Sequence, residues 1–173
     1  MASVDSADVS AEAAGSAATR WREQLAEWAI PPAILEQAVQ SPWSLPKELF
    51  RVEALAEVDT PSTVAARTVL PAGGSVLDVG CGGGAAGLAL ADRAGEIVGV
   101  DSRADMLAEF GAAASRLGVA FKSVQGNWPS VADEVPTADV AVCHHVFYNV
   151  AELVPFVQAL TSHARLRVVA ELP

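Results

Sequence analysis

The chain has 173 residues, of which 51% are hydrophobic and 18% are charged, and its formal net charge is -10 at pH 7. This composition is typical of one globular domain with a sizeable core, and it excludes a disordered chain. The negative charge repels nucleic-acid phosphates and no run of Lys or Arg offsets it, so we predict no nucleic-acid partner. A small molecule or another protein is the expected partner.

The N-terminal stretch, residues 1–19, is rich in Ala and Ser and has neither a basic n-region nor an apolar h-region. We predict a flexible tail rather than a secretory signal. No apolar run approaches the roughly 18 residues that a membrane span requires, so no membrane partner is expected. Cys81 and Cys143 lack a disulfide-like spacing. Together these features predict a cytoplasmic protein.

Residues 20–60 are predicted to form a helical cap or lid region. Trp21 and Trp28 share one face of a helix that the pair Pro31-Pro32 interrupts, and a second helix is expected from there to about residue 40. The aromatic residues of this region, which include Trp43 and Phe50, can fold over a bound ligand or simply pack against the rest of the protein. Both interpretations stay open.

From residue 61 the pattern changes. A helix over 61–70 starts with Pro61 at a favoured position, and short apolar runs then alternate with helical stretches. These runs read SVLDV, EIVGV, VAFKSV, DVAVC and LRVVAEL. Strands that alternate with helices predict parallel βαβ units, and continuously apolar strands predict a sheet covered on both faces. The fold class is therefore α/β, with 61–173 as one domain.

The helices of this domain are predicted from their boundary residues. One is expected over 84–94 and another over 103–117, ended by Gly118. Ser102 and Asp105 have capping-box spacing at the start of the second helix. A turn at 149–153 is preferred to a longer helix because it keeps Pro155 out of a helix interior.

Glycines cluster where the first strand meets the next helix, in the segment Asp78-Val-Gly80-Cys-Gly82-Gly-Gly84. Ligands of open parallel sheets bind beyond the carboxyl ends of the strands. Glycines there allow a sharp turn and close ligand contact with the main chain, and the following helix is expected to point its N-terminal amides at the ligand. Asp101 ends the second strand, 21 residues after Gly80, where a carboxylate can bind a ribose diol or simply cap a helix.

Two classes of ligand fit this loop. Residues 82–87 (GGGAAG) satisfy G-x-G-x-x-G, which is typical of nicotinamide or flavin dinucleotide sites. The carboxylate of Asp78, just before the loop, is unfavourable next to a pyrophosphate. It suits a ligand that carries an ammonium and a sulfonium, so the charge favours S-adenosyl-L-methionine (SAM).

The segment VLDVGCGGG resembles motif I of the class I SAM-dependent methyltransferases, with its D-x-G-x-G-x-G core. VGVDSRADML, VQGNWPSV and ADVAVCHHVFYNV resemble the motifs of the second, third and fourth strands, in family order. The resemblance covers roughly residues 60–172. It implies a Rossmann-like doubly wound parallel sheet in a three-layer α/β/α arrangement, with strand order 3-2-1-4-5.

The resemblance also implies cofactor-binding residues. Asp78, Gly80 and Gly82 would line the methionine end of SAM, and Asp101 with Ser102 would lie at the ribose. The residues implied at the adenine are Met106, Asn127 and Trp128. His144 is implied to contact the methionine moiety through its backbone. Asn127 stands where many relatives have Asp, and Met106 and Trp128 can equally be packing residues.

His145 and Tyr148 are the candidate catalytic residues, because both follow the fourth strand. A histidine can remove a proton from an attacking hydroxyl or amine, although a buried structural histidine is the common alternative. A metal site formed by both cysteines with His144 and His145 matches no standard zinc spacing. Cys143 as a nucleophile has only a neighbouring histidine in its favour.

The sequence stops after the fifth strand, whereas the family usually continues with a sixth and a seventh. The fifth strand is then expected to be an edge that a dimer mate or another partner covers, or the chain is a fragment. The sequence predicts a SAM-dependent methyltransferase for a small-molecule, less often a protein, acceptor. Its alternatives are a SAM-binding module without activity and an NAD(P)-binding oxidoreductase domain.

Overall fold

Five parallel strands form one sheet in the computed structural model, which describes residues 6–37, 39 and 59–172. The strands are β1 Gly74–Val79, β2 Ala94–Asp101, β3 Ala120–Gln125, β4 Ala138–His144 and β5 Ala164–Glu171. Their order across the sheet is β3-β2-β1-β4-β5, as predicted. Because the order reverses between β1 and β4, the carboxyl ends of these two strands flank the crevice in which such sheets bind ligands.

The helices are α1 Ser6–Trp28, α2 Pro32–Leu35, α3 Pro61–Val69, α4 Ala104–Leu117 and α5 Leu153–Ser162. Helix α1 begins inside the stretch predicted as a flexible tail, so residues 6–19 are helical. Helix α2 ends at Leu35, well before residue 40. None of the described helices combines the length and the apolar character needed to cross a bilayer. Trp43 and Phe50 lie outside the described residues.

Both faces of the central strands β1, β2 and β4 are covered, which explains their buried apolar runs, whereas β3 and much of β5 are exposed. Successive residues of β1 point to opposite faces: Val76 belongs to one buried cluster and Leu77 to the other. The first cluster includes Leu70 next to α3 and Phe110 of α4. The second includes Phe156 and Leu160 of α5. Helices α3 and α4 therefore cover one face and α5 covers the other.

Helix α4 ends as predicted, because Gly118 adopts a left-handed conformation (φ 70°) that caps the helix. The predicted capping box of Ser102 and Asp105 is wrong. Arg103 is the N-cap residue and its side chain makes no capping bond. The main-chain amide of Arg103 donates instead to Oδ1 of Asp101, and Asp105 forms an ion pair with the Arg103 side chain. Asp101 thus takes the capping role expected of Ser102.

The helix predicted over 84–94 is also wrong. Residues 82–87 form turns, and a three-residue 3-10 helix, Leu88–Leu90, follows them. Gly84 has a φ of +93°, which a right-handed helix does not allow. The amide of Gly87 donates to Asp78, and β2 begins at Ala94, so too little chain remains for an α-helix.

The turn predicted near 149–153 is confirmed. A 3-10 turn covers Phe147–Asn149, and α5 begins at Leu153. Pro155 therefore lies in the first turn of α5, where its missing N–H has no helical acceptor to lose.

Helix α3 supplies a small, testable contribution to stability. The hydroxyl of Thr60 accepts from the amide of Thr63 at 3.1 Å, which satisfies one of the free amides of the first turn. We expect Thr60→Ala to lower the free energy of unfolding by about 1 kcal/mol in urea titrations. Thr68, within the same helix, bonds only back to Val64, so Thr68→Ala is the matched control and should leave stability nearly unchanged. Equal losses in both variants would contradict this role for Thr60.

Candidate functional site

The carboxyl ends of the strands bring the predicted site residues to one edge of the sheet. The amide of Gly82, after β1, donates to Oδ2 of Asp101, at the end of β2, at 2.9 Å. The amide of Gly126, after β3, donates to the main-chain oxygen of Asp101 at 3.0 Å. Asp101 thus joins the segments that follow three neighbouring strands, β1, β2 and β3.

Asp78 is a buried carboxylate directly beneath the glycine loop, with 1% of its surface exposed. Its Oδ2 accepts from the amide of Gly87 at 2.8 Å, whereas its Oδ1 is buried and has no hydrogen-bond partner. Burial raises the pKa of Asp78 to about 7; the Gly87 bond opposes this and the nearby charge of Asp101 adds to it. Because buried acceptors are almost always paired, Oδ1 is an acceptor that a cation or a hydrogen-bond donor would satisfy.

The amides of the glycine loop are used within the protein. Gly80 and Cys81 both donate to the main-chain oxygen of Val100, and Gly84 donates to that of Cys81. The expectation that a following helix would aim its amides at the ligand is therefore wrong here. At Gly80, the absence of a side chain permits a left-handed φ of +72° and leaves the Cα open to close packing.

Val146 occupies the space above Gly80. A Cβ placed on Gly80 would lie 2.3 Å from Cγ2 of Val146, far inside van der Waals contact. The bare Cα therefore allows the segment after β4 to approach the glycine loop closely. This contact fixes the position of residues 144–148 relative to Asp78.

Asp101 makes the capping contact that was one of its two predicted roles, and its role at a ribose stays a prediction. Its Oδ1 accepts from the amide of Arg103 at 2.9 Å just before α4, which is a capping contact, and its Oδ2 accepts from Gly82. Each carboxylate oxygen has about two acceptor positions. One position on each oxygen remains for the hydroxyls of a ribose diol.

The residues expected near an adenine ring are only partly brought together. Ser102 is exposed, and its main-chain oxygen accepts from the amide side chain of Gln125 at 3.4 Å. Asn127 is exposed and follows Gly126, which is bonded to Asp101. Ser102 and Asn127 therefore flank Asp101 on adjacent strand ends.

Met106 and Trp128 take part in packing. Met106, in α4, is 3% exposed. The indole N–H of Trp128 donates to the main-chain oxygen of Phe156 in α5 at 3.2 Å, and its ring lies edge-on to His163 with centroids 5.0 Å apart. The ring of Trp128 thus packs against α5.

His144, His145 and Glu171 form a cluster at the ends of β4 and β5. Nε2 of His145 lies 3.3 Å from Oε1 of Glu171, and Nδ1 of His144 lies 3.8 Å from Oε2. His145 has a left-handed φ of 59°, unusual for a non-glycine residue, and its amide donates to the main-chain oxygen of Glu171 at 2.8 Å. The side chain of His145 is half exposed, so it can reach a bound molecule.

Burial and a hydrogen bond from α3 shift the pKa values of two groups in this cluster. Burial lowers the pKa of His144, against the opposing effect of Glu171, so its imidazole is neutral at pH 7. A hydrogen bond from Ser62 is the main cause that holds the pKa of Glu171 below its usual value. Sequence reasoning missed Glu171 and Ser62. An acid at the end of an apolar strand, the signal that identified Asp101, would have found Glu171.

A cavity of about 210 Å³ lies between α1 and the ends of β4 and β5. Its walls are formed by Trp21, Gln24, Leu25, Trp28, Tyr148 and Leu172. Two contacts attach α1 here: the indole N–H of Trp21 donates to the main-chain oxygen of Val150 at 2.8 Å, and Arg22 pairs with Glu152. The predicted residue Tyr148 thus lines a cavity together with two of the N-terminal aromatic residues.

The cysteines do not support the alternatives of a metal site or a thiol nucleophile. Within the described ranges, no three His, Cys, Asp or Glu side chains are grouped as metal ligands. Cys81 and Cys143 are buried, and burial is the main cause that raises the pKa of each thiol. Neither therefore forms a thiolate readily at pH 7.

Comparison with protein families gives one match, to the family described as "Methyltransferase domain", over residues 76–166. This range contains the glycine loop, Asp101 and the segment 144–148. A comparison with curated proteins found no match.

Solved structures share this fold at low identity. A precorrin 8w decarboxylase of Methanobacterium thermoautotrophicum is 20% identical with a TM-score of 0.52, over 62% of this chain and 57% of that one. TehB from Haemophilus influenzae is 20% identical with a TM-score of 0.51, over 60% of this chain and 36% of that one. A SAM-dependent methyltransferase from Thiobacillus denitrificans was crystallised with S-adenosyl-L-homocysteine. It is 24% identical with a TM-score of 0.49, over 70% of this chain and 52% of that one. The chain thus spans from about a third to somewhat over half the length of these proteins.

Proposed function

Because the chain belongs to the methyltransferase-domain family, we propose that it transfers a methyl group from SAM to a small-molecule acceptor. The observation that carries this proposal is the buried Asp78, whose Oδ1 has no partner beside a glycine loop that comes close to residue 146. A cationic donor satisfies such an oxygen, whereas the pyrophosphate of a dinucleotide is repelled by it.

The residues of the site fit SAM on two counts. An unpaired buried carboxylate oxygen suits the ammonium or the sulfonium, directly or through water. Asp101 retains acceptor positions for the ribose hydroxyls beside its two main-chain bonds.

The proposed binding residues follow from this fit. Asp78, Gly80 and Gly82 hold the methionine end, together with the main chain of His144. The residues proposed for the ribose and adenine are Asp101, Ser102, Met106, Asn127 and the main chain of Trp128.

Bound SAM supplies a methyl carbon that its sulfonium makes electrophilic. The protein positions the acceptor in line with that carbon, and positioning of two reactants is worth on the order of several kcal/mol. His145 is the proposed general base for an acceptor that still carries its proton. Since Nε2 of His145 faces Glu171 at 3.3 Å, the neutral imidazole donates Nε2–H to that carboxylate and Nδ1 is left to accept the proton.

The proposed acceptor is a small molecule rather than a protein. The cavity beside Tyr148 has a volume of about 210 Å³, which suits a compact molecule better than a peptide segment. Tyr148 is the second residue proposed to contact the acceptor, because it lines this cavity.

Calorimetric titration with SAM, S-adenosyl-L-homocysteine and NAD tests the cofactor. We expect the first two to bind, and we expect Asp101→Asn to weaken both by about a hundredfold because one anionic acceptor is lost at the ribose. Asp105→Asn is the matched control, since Asp105 lies four residues away in an exposed ion pair with Arg103. Thermal unfolding of each variant separates binding from folding, because Asp101 also accepts two main-chain bonds.

Three outcomes would contradict all or part of the proposal. Unchanged SAM affinity in Asp101→Asn would remove its ribose role, and binding of NAD in preference to SAM would indicate an oxidoreductase domain. SAM binding without transfer of labelled methyl to any compound of a broad acceptor panel would favour a binding module without activity.

A further inference from the structure

The cavity beside α1 has an unusual lining for an exposed surface. Trp28 is 81% exposed, Leu172 50% and Tyr148 37%, and they lie next to Trp21 and Leu25 in one wall. Contiguous apolar patches of this kind on a protein surface indicate a binding site. Among the described lining residues, the side-chain polar groups are the amide of Gln24, the hydroxyl of Tyr148 and the indole N–H groups.

The chain connects this cavity directly to the proposed cofactor site. Val146 packs on Gly80 and Tyr148 lines the cavity, so the Cα atoms of Val146 and Tyr148 are separated by at most about 7 Å of chain. Leu172, which also lines the cavity, directly follows Glu171, which lies against His145. Short stretches of chain therefore join the cavity to both the proposed base and the segment that packs on the glycine loop.

The chemistry of the walls selects a class of molecule. No Asp, Glu, Lys or Arg is among the described residues that line the cavity, so a charged ligand would lose hydration there without gaining a partner. Indole and phenol rings give a flat aromatic ligand large apolar contacts, and the Gln24 amide and Tyr148 hydroxyl can hydrogen-bond one hydroxyl or amine. The volume of about 210 Å³ lies below that of sites for drug-sized ligands.

Resting on the proposed function, we infer that this cavity binds the methyl acceptor, and that the acceptor is a neutral aromatic compound of one or two rings with a hydroxyl or amine group. Helix α1 is then the wall that sets acceptor specificity. The segment 146–148 links acceptor and cofactor.

Titrations with defined probes test this inference. Phenol, indole and 2-naphthol represent the proposed class, and benzoate and choline are charged compounds of comparable size. With S-adenosyl-L-homocysteine present, ligand-observed NMR should show saturable binding of the neutral probes, tightest for 2-naphthol. Trp28→Ala should weaken 2-naphthol binding about tenfold, because one aromatic wall is lost.

The controls keep the result unambiguous. Trp28 is exposed, so its replacement leaves the fold intact, and calorimetric SAM affinity should not change. Ile34→Ala removes another exposed apolar side chain (59%), outside the cavity, and should leave 2-naphthol binding unchanged. Failure of SAM to bind would count against the proposed function alone.

The inference is overturned if none of the three neutral probes binds, if benzoate or choline binds more tightly than 2-naphthol, or if Trp28→Ala binds 2-naphthol as well as the wild type. In each case the cavity is not the acceptor site proposed. Enzymatic methylation of 2-naphthol that slows in Trp28→Ala through a raised KM with an unchanged kcat would support a binding role directly.

Discussion

Replacing Asp78 with Asn is expected to remove a large pH dependence from the stability of the fold. Burial raises the pKa of Asp78 from its ordinary value of 3.8 to about 7 in the folded protein. Between these values the folded state holds a proton that the unfolded state has released, so stability falls as pH rises from about 4 to about 7. The contribution lost over this range is at most about 4 kcal/mol.

Urea unfolding of wild type and Asp78→Asn across this pH range measures the effect, because all other carboxyl groups are common to both proteins. We expect the stability of the variant, relative to wild type, to increase steadily up to about pH 7 and then stay constant. Asp139→Asn is a control of opposite sign. Hydrogen bonding to the Ser75 amide is the main cause that lowers the pKa of Asp139, so its contribution is present at neutral pH and is lost on acidification.

Asp78→Asn should weaken SAM binding while it relieves the buried charge. The proposed partner of the ammonium or sulfonium becomes neutral, and we expect a loss in affinity of at least about tenfold at pH 8. Wild-type affinity for SAM should itself fall below about pH 7, as Asp78 takes up its proton. Parallel pH profiles of stability in the two proteins, or unchanged SAM affinity in the variant, would contradict the role assigned to this carboxylate.

Gly80→Ala is expected to destabilise the protein more than Gly73→Ala. Both glycines have a φ of +72°, and both substitutions therefore cost about 1–2 kcal/mol of left-handed strain. At Gly73 a new Cβ meets nothing within 4 Å, whereas at Gly80 it would lie 2.3 Å from Cγ2 of Val146. Overpacking of this kind adds typically about 1–3 kcal/mol.

A double-mutant cycle isolates the contact. Val146→Ala removes the methyl group that clashes, so the Gly80→Ala/Val146→Ala protein should be more stable than the sum of the single losses predicts. Urea titrations give these free energies, and calorimetry with SAM shows whether the loop still binds. Equal losses at Gly80 and Gly73 would mean that Val146 does not hold the segment after β4 against the glycine loop.

The sequence was sufficient to locate the five strands of the sheet and the extent of helix α4. Apolar runs bounded by polar turns located all five strands, and Gly118 ended α4 because only a left-handed residue fits there. The strand order came from resemblance to a family and not from the runs themselves. Long apolar strands encode burial on both faces, but not which strand lies beside which.

The segment after β1 shows where local preference fails. Ala and Leu predict a helix over 84–94, yet the Asp78–Gly87 hydrogen bond and the positive φ of Gly84 turn the chain back. The hydrogen bond depends on a carboxylate nine residues away that only the folded core buries. The Ser102 and Asp105 pattern failed similarly, because Asp101 already accepts from the Arg103 amide.

Contacts between distant segments were beyond sequence reasoning. Glu171 meets His145 only because β4 and β5 are neighbours in the sheet. The cavity at Tyr148 requires α1 to lie against residues 148–152, which the helical spacing of Trp21 and Trp28 does not indicate. The sequence therefore identified His145 and Tyr148 one at a time, missed Glu171, and did not predict which segments these residues meet in the folded protein.

The attachment of α1 has a practical consequence for enzymology. Arg22 and Glu152 are 52% and 64% exposed in their ion pair, so dissolved ions screen their attraction at the salt concentrations of ordinary buffers. The Trp21 bond to Val150 is partly buried and is screened less. We expect ionic strength to act on the attachment of α1 more than on the buried Asp78, so assays of the proposed function should be compared at one salt concentration.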